Sequence, residues 1–343
     1  MKIVADKNIP FLEGVFEPYA EVEYVAGREI SREDVFDADA LIIRTRTRCD
    51  ASLLEGTKVK IISTATIGVD HIDFDYCNSH GIEVHNAQGC NAGGVAQYVF
   101  SALYGVAARK SVNLKEATLG IIGVGNVGKL VAETARKLGF KLLLNDPPRA
   151  AEEGPESFCD LDYLLANAQI VTMHTPLNDT TKGMADEDFF AKMRTGAFFI
   201  NASRGEVVNE AALKEYIPKL GATIIDTWNH EPDVDEELID MVDIATPHIA
   251  GYSYQGKQNG TAMAVRAVAR RFGIVQLYNF YPQSDHPEEQ PLKINIEGLS
   301  QGEIAAVFQY NYPIFTDDFM FRLNPDRFEK LRSEYQYRRE FYI

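Results

Sequence analysis

Residues 118–129 read TLGIIGVGNVGK, and this stretch decides the fold. Thr118–Ile122 is a β-rich apolar run, and Gly123, Gly125 and Gly128 follow it in the spacing Gly-x-Gly-x-x-Gly. Beyond them Val127, Leu130, Val131, Ala135 and Leu138 recur with the 3.6-residue period of a helix. A strand, a glycine turn and a helix in that order form the context in which this spacing binds a dinucleotide. Gly123 permits the tight turn, Gly125 lets a pyrophosphate approach the backbone, and Gly128 lets the helix pack closely on the strand. The helix N-terminus, opened by Asn126 and Val127, offers unpaired N–H groups to the phosphates. The next strand, Lys141–Leu144, runs into Asp146, 18 residues after Gly128. A carboxylate there accepts hydrogen bonds from an adenosine ribose and repels a 2′-phosphate, which predicts NAD rather than NADP. The same residues also spell Gly-x-x-x-x-Gly-Lys, but Leu130 stands where an NTPase phosphate loop needs its Mg²⁺-binding Ser or Thr.

Working outward, short strand patterns alternate with helical ones. Lys2–Ala5, Val22–Val25, Ala40–Ile43, Ile61–Thr64 and Ile82–Val84 precede the glycine turn, and Ile170–Met173, Ala197–Ile200, Thr223–Ile225 and Ile244–Ala245 follow it. That alternation predicts parallel sheets. A long helix capped by Asn91 links the two groups, and another covers Gly260–Phe272. After the Pro- and Glu-rich stretch PQSDHPEEQP, Lys293–Ile296 reads as a strand and Asn324–Phe341 as a charged helix. The predicted class is α/β, with two doubly wound parallel-sheet (Rossmann-like) domains plus a small C-terminal α+β dimerisation domain. Residues 1–92 and 255–281 form the substrate-binding domain, 93–254 the NAD-binding domain and 282–343 the terminal one.

Composition narrows the function. Among 343 residues, 34 Lys and Arg face 50 Asp and Glu, a net charge of −16, which disfavours nucleic acid and anionic membrane surfaces as partners. Cys49, Cys77, Cys90 and Cys159 form no Cys-x-x-Cys pair, so no thiolate metal site is expected and a reducing compartment is. No signal-like or membrane-spanning apolar run stands out, and a cytoplasmic location is expected.

The chemistry gathers where later strands end: Asn201-Ala-Ser-Arg204-Gly205, then Asp226-Thr-Trp-Asn-His-Glu231-Pro232, then Pro247-His248-Ile-Ala-Gly251. Oxidising an alcohol next to a carboxylate needs a base for the hydroxyl proton, a cation for the carboxylate and the developing carbonyl, and a group that tunes the base. His248, Arg204 and Glu231 supply one of each. His230, adjacent to Glu231, is read as a surface residue, and His174 as lining the cofactor cleft.

Together these motifs resemble the D-isomer-specific 2-hydroxyacid dehydrogenases over nearly the whole chain. Gly89-Cys-Asn91-Ala92, Thr64-Ala-Thr66-Ile-Gly68-Val-Asp70-His71, Asp146-Pro-Pro-Arg149 and Pro247-His-Ile-Ala-Gly-Tyr252 extend the likeness. The resemblance implies Arg204 and Glu231 as active-site residues and His248 as proton donor and acceptor. It also implies NAD contacts at Asp146, Thr175, Asp226 and Gly251, and substrate contacts at Thr45, Thr66 and Tyr252. Backbone N–H groups of Thr66–Gly68 are expected to help hold the substrate carboxylate. Arg44, Arg46 and Arg48 alternate, so in an extended segment they share one face; Arg44 and Arg46 are the candidates for a substrate phosphate, which points to a small phosphorylated 2-hydroxy acid. Other members of the family, of phosphoglycerate or hydroxypyruvate type, remain alternatives. So does a nucleotide-sensing co-repressor, against which the full Arg, Glu and His set argues. Ile294, Ile296, Ile304, Val307, Phe308, Tyr310, Phe315, Phe319 and Phe321 are many apolar groups for a short terminal unit, and a homodimer interface is expected there.

Overall fold

The computed structural model describes residues 1–284, 286 and 289–343. The runs ALII at 40–43 and IIST at 61–64 are buried at every position, as central strands of a sheet covered on both faces must be. They are β3 (Ala40–Ile43) and β4 (Ile61–Thr64) of a parallel sheet that also holds β1 (Lys2–Asp6), β2 (Glu21–Val25) and β5 (Glu83–Asn86), in the order β2-β1-β3-β4-β5. A second parallel sheet comprises β6 (Thr118–Ile122), β7 (Lys141–Asn145), β8 (Ile170–Met173), β9 (Phe198–Asn201), β10 (Ala222–Ile225) and β11 (Ile244–Ala245), ordered β11-β10-β9-β8-β6-β7. Both sheets reverse direction of growth once, between β1 and β3 and between β6 and β8. Open α/β sheets bind ligands at the strand C-termini beside such a switch point.

The chain divides into two compact units: residues 1–91 with 253–290, and residues 92–252 with 291–343. The first unit packs Ile3, Ile42 and Ile61 against Val265, Val268 and Ala269 of the helix Tyr254–Phe272. The second is built on the helix Ala92–Arg109, which is apolar on all sides and buried from Gly94 through Ala107. Its expected cap is not made, since Asn91 Oδ1 is buried without a hydrogen-bond partner. Among the described residues no helix is long and apolar enough to cross a membrane.

The terminal region departs from the sequence expectation. Instead of a separate unit over 282–343, residues 291–343 pack as part of the second unit. Ile304, Phe308 and Ile314 join the core around Tyr104 and Val99, while Phe321 and Phe328 pack with Trp228. The charged helix expected over Asn324–Phe341 is also absent. A 3-10 turn at Pro325–Arg327 and a helix of only six residues, Phe328–Ser333, are followed by β13 (Phe341–Tyr342), which pairs with β12 (Leu292–Lys293). Pairing wins because Leu292 N and Ile294 N donate to Glu340 O and Tyr342 O, each at 2.8 Å. Two helices were not anticipated, Gln301–Asn311 and Ile314–Leu323; the first opens on a capping box of Ser300 and Glu303.

Candidate active site

Each glycine of the 118–129 motif has its own steric reason. Gly123 lies at φ +82°, where a Cβ would sit 2.7 Å from His174 O, and a Cβ on Gly128 would sit 2.0 Å from Gly123 O. A Cβ on Gly125, by contrast, would meet no atom within 4 Å. That space lies at the N-terminus of the helix Asn126–Lys137, where N–H groups lack intrahelical partners. Asp146 holds the loop: its Oδ2 accepts from Val124 N at 2.7 Å and its Oδ1 from Arg149 N at 3.1 Å. Arg149, to which the Asp146-Pro-Pro-Arg149 string gives no role in sequence, donates to Val124 O at 2.7 Å and pairs with Glu153 through both ends of its fork. Each Asp146 oxygen keeps capacity for a second donor.

At the end of β8, His174 N donates to Ile122 O and its Nε2 lies 3.0 Å from Thr172 Oγ1. Burial pushes its imidazole down to about 3, so it stays neutral. Thr175 Oγ1 is buried with no partner, as is Thr227 Oγ1. The unpaired buried hydroxyl of Thr175, whose backbone adjoins Gly123 beside the open space at Gly125, fits a bound dinucleotide.

Arg204 follows β9 on a turn that Asn201 builds: Asn201 accepts from Ser203 N and Oγ and donates to Arg204 O at 2.9 Å. Arg204 itself donates to Ser203 O at 2.8 Å and remains partly exposed. Gly205 is required there, because a Cβ would lie 2.0 Å from the Trp228 carbonyl.

Asp226, at the end of β10, is 1% exposed and organises the loop that carries His248. Its Oδ1 accepts from Thr246 Oγ1 (2.7 Å) and Ile249 N (2.8 Å), and its Oδ2 from Ala250 N (2.9 Å), leaving Gly251 next along the same loop. Since Thr246 spends its proton on Asp226, Tyr98 donates to Thr246 at 2.8 Å. Burial pushes the Asp226 carboxyl above the ordinary range, against the opposing pull of His248, the Thr246 hydroxyl and the two backbone N–H groups.

His248 adopts φ +56°, a conformation that costs a side-chain-bearing residue about 1–2 kcal/mol. It is held there by hydrogen bonds from its N–H to Asp226 O (2.7 Å) and Thr246 O (3.0 Å). The side chain reaches Glu231, with Nδ1 2.8 Å from Oε2 and 3.1 Å from Oε1. A carboxylate acceptor assigns the proton to Nδ1 and leaves Nε2 as the basic nitrogen. Glu231 Oε1 also accepts from Trp228 N at 3.0 Å. Burial opposes ionisation of Glu231, but the charge and hydrogen bond of His248, the Trp228 N–H and Arg332 outweigh it, and the carboxyl falls below the ordinary 4.5. A carboxyl depressed by folding stabilises the folded chain above its unfolded value, and that contribution fades as pH falls through the folded one. His230 is exposed, as expected.

The C-terminal segment adds residues that sequence reasoning missed. Arg338, 9% exposed, donates to the carbonyls of Ile249 (3.0 Å), Tyr252 (3.2 Å) and Ala250 on the His248 loop, and to Gly94 O (3.0 Å). Tyr252 packs edge-on against Tyr335, with ring centroids 6.0 Å apart. Arg332 Nη1 lies 3.9 Å from Glu231 Oε2. No local pattern announces any of these, since their partners are distant in sequence.

In the first unit, residues 44–47 form a turn rather than an extended stretch, so Arg44, Arg46 and Arg48 do not share a face. The cause is local anchoring: Arg44 Nε pairs with the buried Asp6 carboxylate at 2.8 Å, and Thr47 Oγ1 donates to Gly27 O at 2.9 Å. Arg48 is 85% exposed and pairs with Asp50. Thr45 is exposed in this turn. Thr66 lies just past β4, its hydroxyl 2.6 Å from that of Thr64, and Asn86 Nδ2 holds the following turn through Ile67 O at 2.8 Å.

Residues 98–250 match the family model described as the D-isomer specific 2-hydroxyacid dehydrogenase, NAD binding domain. The chain is 44% identical over 347 aligned residues to the erythronate-4-phosphate dehydrogenase of Bacteroides fragilis, covering 99% of this chain and 97% of that one. To the enzyme of the same name from Yersinia pestis it is 40% identical, covering 99% and 93%. Among solved structures it is similar to NAD⁺-bound 3-phosphoglycerate dehydrogenase of Entamoeba histolytica, with 28% identity, a TM-score of 0.68 and coverage of 83% and 99%.

Proposed function

The chain belongs to the erythronate-4-phosphate dehydrogenases, a branch of the D-isomer specific 2-hydroxyacid dehydrogenase family, and from that premise we propose that it oxidises the 2-hydroxyl of 4-phospho-D-erythronate to (R)-3-hydroxy-2-oxo-4-phosphooxybutanoate with NAD, in pyridoxal 5′-phosphate (vitamin B6) biosynthesis. The observation that carries the chemistry is the 2.8 Å bond from His248 Nδ1 to Glu231. It fixes the tautomer in which Nε2 takes the substrate hydroxyl proton, and the carboxylate stabilises the imidazolium that results. Arg204 pairs with the substrate carboxylate and polarises the C2 oxygen as it becomes a carbonyl. Asp226 and Arg338 hold the His248 loop by its backbone. Gly123, Gly125, Asn126, Val127, Gly128, Asp146, Thr175, Asp226 and Gly251 are the residues assigned to NAD, which when bound supplies the acceptor for the hydride from C2. Thr45, Thr66 and Tyr252 are assigned to the substrate, and the arginines of the 44–47 turn to its phosphate. A steady-state assay over a panel of 2-hydroxy acids tests this reading.

Asp146 sets the cofactor preference. NAD is expected to exceed NADP in kcat/KM, and Asp146→Ala should narrow that ratio about tenfold or more by removing both ribose acceptors and the repulsion of a 2′-phosphate. Part of the change will be weaker NAD use, because Asp146 also anchors Val124 N. Equal use of both cofactors by the unaltered protein would contradict the assignment.

From its cysteine usage we read the protein as cytoplasmic, and from its exposed apolar surface as a homodimer. Phe319 (59% exposed), Met320 (44%) and Leu323 (59%) project from one helix, Ile314–Leu323, while its Ile314 and Phe321 are buried. An apolar cluster of that kind is costly to leave in water. Sedimentation should give a dimer for the unaltered chain and a monomer for Phe319→Asp combined with Leu323→Glu; a dimer in both would move the contact elsewhere.

A further inference from the structure

Glu231 has a third partner besides Trp228 and His248. Arg332, on the short helix Phe328–Ser333, is only 17% exposed in its side chain, and its Nη1 lies 3.9 Å from Glu231 Oε2. Its guanidinium carbon lies over the rings of Phe328 and Tyr252, 5.6 and 6.0 Å from their centroids, and its Nε is buried without a hydrogen-bond partner. A long cation held in this way is not a solvated surface group. It is positioned by the C-terminal segment beside the carboxylate that His248 uses.

The functional need for it follows from charge. A partly buried carboxylate bonded to an imidazole stabilises the protonated ring, and stabilised too far the ring is a spent base at neutral pH. Oxidation of a hydroxyl requires the ring to begin unprotonated. We propose that Arg332 is a positioning residue that holds Glu231 ionised and in place while its own charge offsets that carboxylate, so that His248 starts the oxidation as the free base. The other charged and titratable groups around the pair are Asp226, whose carboxylate also attracts the imidazolium, and Tyr252 and Glu329, which face Arg332. The two carboxylates favour positive charge, the Tyr252 phenol is uncharged where an imidazole titrates, and Arg332 is the cation set against them. The proposal rests on the oxidation reading above only for its purpose; the electrostatic effect belongs to the free protein.

The direct test is an NMR titration of the His248 ring in the ligand-free protein, unaltered and as Arg332→Met and Arg332→Lys. Arg332→Met should raise the midpoint by about 0.5–1 pH unit, the effect of removing one nearby like charge from a partly buried site. Arg332→Lys, which keeps the charge, should restore most of the shift. In turnover the acid limb of kcat/KM should move to higher pH by the same amount in Arg332→Met, so that activity well down that limb falls about three- to tenfold and the alkaline plateau is kept. Arg332→Gln carries the same expectation should the Met variant not fold. An unchanged midpoint, or a loss of kcat/KM equal at every pH, would make Arg332 a packing residue and overturn the proposal. Absence of turnover in the unaltered protein would instead count against the substrate reading, and the titration would still decide the role of Arg332.

Discussion

His248→Ala lowers kcat by about 10²–10⁴-fold and leaves NAD binding nearly unchanged, the usual worth of a positioned general base. The loss should be this large because Nδ1 is committed to Glu231, which leaves Nε2 as the basic nitrogen for the proposed oxidation. The cofactor should be indifferent, since its phosphates are assigned to the Gly123–Gly128 turn, held by Asp146 and Arg149 rather than by the His248 loop. Folding should be little affected: alanine at φ +56° carries a strain similar to that of histidine, and the Asp226 hydrogen bonds to Ile249 N and Ala250 N remain. Glu231→Gln should lose less, because the amide still accepts from Nδ1 but no longer stabilises the imidazolium. Stopped-flow and steady-state rates at saturating NAD check both. A kcat within a few-fold of normal for His248→Ala would remove it from the mechanism.

Arg46→Ala lowers kcat/KM for 4-phosphoerythronate by about 10–100-fold while barely changing it for D-erythronate, the same acid without its phosphate. One or two charge-assisted hydrogen bonds to a phosphate near −2 charge, at roughly 1.5–3 kcal/mol each, set that range. Arg46 is preferred to Arg44 as the test because the structure gives Arg44 a second duty. Its Nε neutralises Asp6, whose side chain is 0% exposed and also accepts from Asn8 N at 2.9 Å. Arg44→Ala therefore strands a buried carboxylate, at a cost on the order of 3 kcal/mol of stability, and should depress activity on both substrates through loss of folded enzyme. Thermal melts separate the two effects. If Arg46→Ala depresses both substrates equally, the turn serves folding and the phosphate is held by other groups.

Much of this architecture is legible in sequence because its signals are local. Ala40–Ile43 and Ile244–Ala245 begin and end where continuous apolar runs do, Ile61–Thr64 and Ile170–Met173 are rich in β-branched residues, and the glycine motif carries its own strand and helix. The misreadings come where tertiary partners decide. The charged residues from Asn324 to Phe341 suit a helix in isolation, yet Arg338 spends its donors on carbonyls of residues 249–252 and Phe341 pairs with Leu292. Nothing within a helical window registers those partners. The capping box of Ser300 and Glu303 announces the helix Gln301–Asn311 locally, whereas the apolar residues of that stretch point to an interface and say nothing of helical form. At 44–48 the alternating arginines suggested a strand edge, and the Asp6 carboxylate, delivered by β1, closes a turn there instead. Arg332 lies outside every motif, and its relation to Glu231 exists only in three dimensions.

The most direct test of the central claim follows reduced nicotinamide by absorbance while the purified protein, with NAD, is offered 4-phospho-D-erythronate, D-erythronate, D-3-phosphoglycerate and D-glycerate. The account predicts turnover of 4-phospho-D-erythronate with a kcat/KM about 10-fold or more above every other acid, and a kcat lowered about 10²–10⁴-fold by His248→Ala. Equal or faster oxidation of 3-phosphoglycerate, or no turnover of any acid by protein that binds NAD, would contradict it.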